Sequence, residues 1–471
     1  MWQSLLILLT TTHQALGTNA GIKALLTSKG LQYGKHIGTN LLQQKLGSLS
    51  IPDVTGQVDI SPLGAVDFSL NSMRITKFNL PEPSAEFTEG QGIMAAMSGL
   101  NVQVHGNWNT HYTFIRDSGT FDVALYGMHV SLLLSPGTDD TGHLSLSSQQ
   151  CVSGLNDVDV HFYGGASFIF SLFLGSIKGR IMSEVQQKLC PMVNDAVGGF
   201  DTVLQNMKVS VQINPNILVE VPLLSTPIVG DSDMELSLKG EFYSVRTHAE
   251  PPFPAGQFSL PPDSSRMLSL GVSEFCVNSA AFAYLSAGLL QVNITDNMLP
   301  KGSPLRLNTS SFGMFVPQLP KQFPDMLMLV QAFASQPPRA SFLPDNVMVD
   351  MSVAAKFFAI QPDASLAPLF TLEMEASFKV HVFISEEKLK GSVALGNLTL
   401  SLTSTEVGPF QTKSLESVLK TGIQLLVLPK VNANLTAGIP LPTTPSVSLV
   451  NPVLKVNQGF MTIATDTSYS P

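Results

Sequence analysis

The chain is short of charge. Asp, Glu, Lys and Arg make up 13% of its 471 residues, about half the share of an ordinary soluble domain. The charge present sums to −9 with histidine neutral. That balance excludes general electrostatic attraction to nucleic acid or anionic membranes, although not a local basic patch. Long apolar runs are missing too. The longest, SFIFSLFLGSI at residues 167–177, falls short of the roughly 20 residues a bilayer-spanning helix needs. Lys178, Arg180, Glu184 and Lys188 follow it, interleaved with Ile181, Val185 and Leu189 at helical spacing, which predicts a packed amphipathic helix. Catalytic signatures are absent: no G-x-S-x-G, H-E-x-x-H, C-x-x-C, P-loop or G-x-G-x-x-G. The nearest approach to a metal site, Asp157, Asp159 and His161, alternates as any solvated strand face does. No enzyme, metal or cofactor is expected.

What is abundant is apolar. Hydrophobic residues reach 44% and the mean hydropathy is +0.22. The length implies two or three domains. Residues 1–17 read as a signal peptide, with an apolar stretch at Leu5 to Leu9 and a small-x-small site at Ala15-Leu16-Gly17, though no Lys or Arg precedes them. Secretion agrees with sequons at Asn293, Asn308, Asn397 and Asn434. Three cysteines in a secreted chain imply one disulfide and one buried thiol. The expected pair is Cys151 with Cys190, and Cys276, in an apolar context, is expected to be a small core side chain.

A proline-rich stretch containing Pro251, Pro252, Pro254, Pro261 and Pro262 is stiff and unable to pair as a central strand. It divides the mature chain into two nearly equal halves. Each half opens with a short strand leading into a helix and closes with a long amphipathic helix interrupted by proline. The shared Pro-x-Val-Asn at Pro191 to Asn194 and Pro429 to Asn432 suggests internal duplication. Between the helices FDVALYGMHVSLLLS, MKVSVQINPN, SFKVHVFISEE and NLTLSLTS alternate as strands. Leu132-Leu133-Leu134 and Phe357-Phe358-Ala359-Ile360 are apolar on both faces, so they are covered on both sides by core, helix or ligand. The fold class expected is α+β: antiparallel curled sheets, each wrapping helices.

Several segments together resemble the family of bactericidal/permeability-increasing protein and lipopolysaccharide-binding protein. They are GIKALLTSKGLQYG (residues 21–34), SIPDVTG (50–56), MELSLKGEFYS (234–244), PPFP (251–254), NMLPKGSPLRLNTSSFGMFVPQLPKQFPDM (297–326) and LVLPKVNANLTAGIPLP (426–442). The resemblance implies an elongated boomerang of two antiparallel barrels joined by a central sheet and the linker. The domains would be an N-terminal lipid-binding barrel over 18–243, a linker over 244–266 and a C-terminal barrel over 267–471. It also implies a disulfide where Cys151 and Cys190 fall, and a phospholipid in each barrel. The expected function is a secreted innate-immune protein binding lipopolysaccharide; the competing reading is a phospholipid carrier without bactericidal activity. Expected partners are lipopolysaccharide, phospholipid and a bacterial outer membrane or lipid surface, with no nucleic acid.

At the N-terminal tip the sequence departs from the family. Endotoxin-binding relatives carry many cations there to meet lipid A phosphates. Here the tip cations are Lys45 and Arg116, with Arg74 and Lys77 further along. HGNWNTHYTFIRDSG (residues 105–119) reads as an aromatic loop between two strands. Trp108 in it either inserts at a lipid interface or, with Phe114, closes the end of the barrel.

Overall fold

The computed structural model describes residues 19–46, 53–60, 64–112, 115–165, 167, 174–299, 305–441 and 446–470. The expected signal peptide, residues 1–17, lies outside them. The architecture is α+β and mostly sheet.

Strand β1 (Ile22–Thr27) runs into helix α1 (Ser28–Leu46). Next come β2 (Val54–Ile60), β3 (Gly64–Asn79), β4 (Ser84–Thr88), β5 (Gly92–Tyr112), β6 (Ile115–Thr138), β7 (Leu144–Gly154) and β8 (Asp157–Tyr163). They form one antiparallel sheet in the order β2-β3-β5-β6-β7, with β4 paired to β5 and β8 to β6. Helix α2 (Leu174–Gln205) packs on β7 and β8. Its Ile181, Met182, Val185 and Leu189 meet the buried Val158, Val160 and Phe121, the predicted 3.6-residue periodicity seated on a period-two strand face. Pro191 lies inside α2, so this helix continues through the proline that was expected to interrupt it.

Strands β9 (Ser210–Asn214), β10 (Ile217–Glu220), β11 (Ile228–Val229), β12 (Asp233–Leu238) and β13 (Glu241–Ser244) complete the first half. Residues 245–267 form neither helix nor strand, as proline density dictates. The second half repeats the opening, β14 (Leu268–Ser273) into α3 (Glu274–Ser286). The Ser273 hydroxyl caps α3 by accepting from the Cys276 N–H at 3.3 Å. Strands β15 (Gln291–Thr295), β16 (Met328–Ala334), β17 (Arg339–Leu343), β18 (Asn346–Ile360), β19 (Leu366–Ser385) and β20 (Lys388–Thr405) follow. Phe312, Phe357, Phe370, Leu372 and Leu415 fill the core beneath them. Helix α4 (Lys413–Gly422) passes through a π turn (Ile423–Val427) into α5 (Leu428–Ala437). Here Pro429 sits at the start of α5, where its missing N–H leaves no bond unmade. β21 (Ile439–Pro440), β22 (Val447–Asn457) and β23 (Phe460–Tyr469) close the chain.

The two halves share a six-stranded sheet of order β11-β12-β1-β14-β23-β22. β1 sits at its middle, with Leu26 opposite Met234 on one side and Leu268 on the other.

One expectation is corrected here. Residues 106–112 and 115–119 are strand and not loop: β5 continues to Tyr112, β6 begins at Ile115, and Trp108 stands opposite Gly119 in the ladder. The alternation simply persists. Val102, Val104 and Trp108 face inward and are buried, while His105, Asn107, Asn109 and His111 take the outer positions between them.

Candidate functional site

Trp108 is 1% exposed. Its Nε1–H donates to the Tyr163 carbonyl at 3.2 Å and its ring meets Phe162 edge-on at 6.5 Å. It therefore closes this end of the core and does not present itself to a lipid surface, which corrects the interface reading. Gly119 makes that burial possible: a Cβ there would lie 2.0 Å from the Tyr163 carbonyl oxygen and 2.7 Å from the indole nitrogen. Tyr112's side chain and Phe114 lie outside the described residues.

The tip cations are not gathered. Lys45 lies near the end of α1, its side chain outside the described residues. Arg74 and Lys77 are exposed on β3, and Arg116 is exposed on β6. Arg74 is opposite His105, Lys77 opposite Gln103, and Arg116 opposite His111. On β5 those partners span eight residues, so the three cations are strung over roughly 25–30 Å. Beside Arg116 an open cleft of about 950 Å³ is lined by Thr55, Gln57, Asp67, Asn109 and His111. Its walls are mixed in polarity, and Gln57 donates to Asp67 at 3.0 Å.

A different feature was not anticipated. Beyond Pro191, α2 carries two stripes. One, with Val193, Val197 and Leu204, is half-buried toward β7, where Asp201 accepts from the Leu146 N–H at 2.7 Å. The other, Met192, Ala196, Phe200 and Val203, is exposed, with Met192 at 65% and Phe200 at 54%. Met207 continues the line at 59%. The second half matches this: Leu425 in the π turn is 68% exposed, and Val427 and Val431 follow. Large apolar side chains lined up on solvent are unfavourable by roughly 25 cal/mol per Å², and such stripes mark surfaces that something apolar covers. Sequence reasoning found the helices but not the second stripe, because only contacts reveal which apolar face lacks a partner.

The start of the proline-rich stretch, at His248 and Glu250, is held by a charged cluster. Lys239 lies 3.2 Å from Glu220 and 3.7 Å from Glu241. His248 meets Glu220 at 2.9 Å and stacks on Tyr243 with ring centroids 4.0 Å apart. The Tyr243 hydroxyl donates to Glu250 at 3.0 Å. Glu241 is 4% exposed and its Oε1 has no partner among the described residues. Burial, aided by the neighbouring Glu250 carboxyl, pushes the Glu241 pKa up. Burial also opposes ionisation of Glu220, but hydrogen bonds from His248 and Lys239 outweigh it and hold that pKa down. The signs are opposite. Glu220 contributes stability that is lost as pH falls through its folded value. Glu241 contributes stability that is lost as pH rises through its own. Glu241→Gln is therefore expected to be more stable than the parent by about 1 kcal/mol at pH 8, the gap closing toward pH 4. Urea unfolding at the two pH values checks this; a variant weaker by the same amount at both contradicts it.

Cys151 and Cys190 are joined, Cα atoms 5.8 Å apart, tying β7 to α2. Cys276 is buried, and that burial pushes its thiol up to about 12. Asp159, from the weighed metal pattern, instead meets Lys178 at 3.0 Å and His161 at 3.6 Å.

Comparison with known proteins agrees along the whole chain. Bactericidal permeability-increasing protein of Sebastes schlegelii is 37% identical over 470 residues, covering 100% of this chain and 99% of that one. Human lipopolysaccharide-binding protein is 29% identical, covering 99% and 97%. A crystal structure of lipopolysaccharide binding protein superposes with a TM-score of 0.59 at 26% identity, covering 96% of this chain and 99% of that one. Residues 30–207 match the N-terminal domain model of the LBP / BPI / CETP family and residues 212–469 its C-terminal domain model, and the chain belongs to that family.

Proposed function

We propose that this chain is a secreted lipid-binding protein of innate immunity, which binds bacterial lipopolysaccharide and holds phospholipid in an apolar space of each half. In this reading each half is a lipid-enclosing barrel of a boomerang, over 18–243 and 267–471, joined by the linker 244–266, and the matched order of elements reflects duplication. The chemistry is binding rather than catalysis. The observation that carries it is the uncovered apolar stripe on the closing helix of each half. Acyl chains cover such a stripe at about 0.8 kcal/mol per buried CH2, far more than the sparse polar groups nearby supply. Titration with lipopolysaccharide and with phosphatidylcholine vesicles, at low and high salt, tests the reading. Tight, salt-sensitive binding of lipopolysaccharide alongside phospholipid uptake supports it; uptake of neither removes it.

The dispersed cations and the buried Trp108 favour one alternative, a phospholipid carrier without bactericidal activity. It predicts equal, salt-insensitive uptake of both lipids.

Secretion brings N-glycans. Asn293, Asn397 and Asn434 are exposed. The Asn308 side chain instead accepts from the Ser311 N–H at 2.7 Å, and Thr309 of its sequon is fully buried. Protein secreted from animal cells is expected to lose glycan mass on Asn293→Gln, Asn397→Gln or Asn434→Gln and none on Asn308→Gln. Mass spectrometry decides, and loss at Asn308 contradicts the assignment.

A further inference from the structure

The outer face of the first half's sheet carries a cross-strand row of arginine, histidine and aspartate. The strand registers align Arg74 with His105, His105 with Asp122, and Asp122 with His161. Directly opposed residues share a face, so Arg74, His105, Asp122 and His161 form one row across β3, β5, β6 and β8. Adjacent strands lie about 4.8 Å apart, which makes the row about 14 Å long. It faces outward, because Val104, Phe121, Val123 and Val160 beside it are buried on the opposite face. The side chains of His161 and Asp122 are 61% and 50% exposed.

Each histidine has a carboxylate beside it. His105 Nδ1 lies 2.7 Å from Asp122 Oδ1. His161 Nδ1 lies 3.6 Å from Asp159, which Lys178 reaches from α2. Lys77 stands opposite Gln103, which lies two residues before His105 on the same face of β5. Toward the tip, His111 stands between Asp67 and Arg116, with Asp117 next in the strand. With histidine neutral, the cations Arg74, Lys77, Arg116 and Lys178 meet Asp59, Asp67, Asp122, Asp157 and Asp159, while Asp117, opposite Thr110, points to the other side. The face then carries one negative charge in excess. Histidine is the side chain type that gains charge between pH 8 and 5. With His105, His111 and His161 protonated the same face has two positive charges in excess.

We propose that this outer face is an acid-gated docking surface for a phosphate-bearing anionic lipid layer. The proposal rests on the lipid-surface function above and adds its regulation. The row from Arg74 to His161 is under two Debye lengths long at physiological salt, so neighbouring charges in it act together on a lipid phosphate, while His111 and Arg116 lie farther along the strands and meet other phosphates. At neutral pH nothing in its charge favours an anionic layer over a neutral one. In mild acid it does, and Arg74 contributes once protonated His105 neutralises Asp122.

The test uses the full chain and sedimentation with two vesicle types, phosphatidylcholine alone and phosphatidylcholine with one-quarter phosphatidylglycerol, at pH 7.4 and 5.5. Binding to the phosphatidylglycerol vesicles is expected to rise about tenfold or more on acidification, with no such rise on phosphatidylcholine. His105→Gln/His161→Gln is expected to lose most of the rise while keeping its thermal midpoint at pH 7.4. Arg74→Gln is expected to weaken acid-phase binding without shifting the pH at which it appears. A rise of the same size in the double variant, or no rise in the parent, overturns the proposal. Phospholipid uptake at pH 7.4 is read in parallel. If it persists while the acid rise is absent, only the gate is lost; if it too is absent, the proposed function falls as well.

Discussion

Trp108→Ala is expected to lower the unfolding free energy by about 3–5 kcal/mol, the usual range for deleting a large buried aromatic. The indole is 1% exposed, lies in the cluster with Phe121, Val123 and Val158, and donates its N–H to the Tyr163 carbonyl. Removing it opens a cavity where β5, β6 and β8 meet. It also leaves that carbonyl without its indole donor. The backbone resists collapse into the cavity because Gly119 already brings β6 against Tyr163. Trp108→Phe keeps most of the volume and is expected to lose less. Urea unfolding followed by circular dichroism measures both. If Trp108→Ala were neutral for stability but abolished vesicle binding, the side chain would be an interface anchor and its burial here would be misassigned.

Breaking the Cys151–Cys190 bond is expected to remove about 4 kcal/mol, from the loop-closure entropy of a 39-residue separation. The bond joins an exposed edge of the N-terminal sheet to the middle of α2, one residue before Pro191. Proline there removes a helical hydrogen bond, so the disulfide pins α2 where its backbone is weakest. The second apolar stripe begins at the next turn, Met192. Cys151→Ala/Cys190→Ala should therefore lose phospholipid uptake along with stability. Unfolding midpoints with and without reductant, in the parent and in Cys276→Ala, isolate the effect. Cys276 is buried with its thiol pKa raised, so its replacement should not change the response to reductant. A parent indifferent to reductant contradicts the account.

Alternation carried much of the fold into view. The strand segments, the two strand-to-helix openings and the stretch 245–267 without helix or strand follow from periods of two and 3.6 and from proline chemistry. The same rule, applied too briefly, went astray at residues 106–112 and 115–119. Aromatic residues and Asn suggested a loop, yet Trp108 keeps the inward phase of Val102 and Val104. The helix-interrupting role given to both prolines holds in the second half but not in the first. Pro191 is carried within a continuous α2, and Pro429 begins a new helix after a π turn. What sequence could not supply was partnership. The buried Glu241 beside Glu250, the cross-strand row from Arg74 to His161 and the uncovered Phe200 stripe all join residues that are distant in the chain, or lack a neighbour that composition cannot reveal.

The most direct measurement is organic extraction of the purified, secreted protein followed by lipid mass spectrometry. The account predicts diacyl phospholipid co-purifying with the chain, approaching one molecule for each half. It also predicts that Phe200→Asp/Val203→Asp loses the lipid of the first half while the protein stays folded. Protein that carries no lipid, and takes up none from phosphatidylcholine vesicles, would contradict the central claim that the uncovered apolar stripes are lipid-holding surfaces.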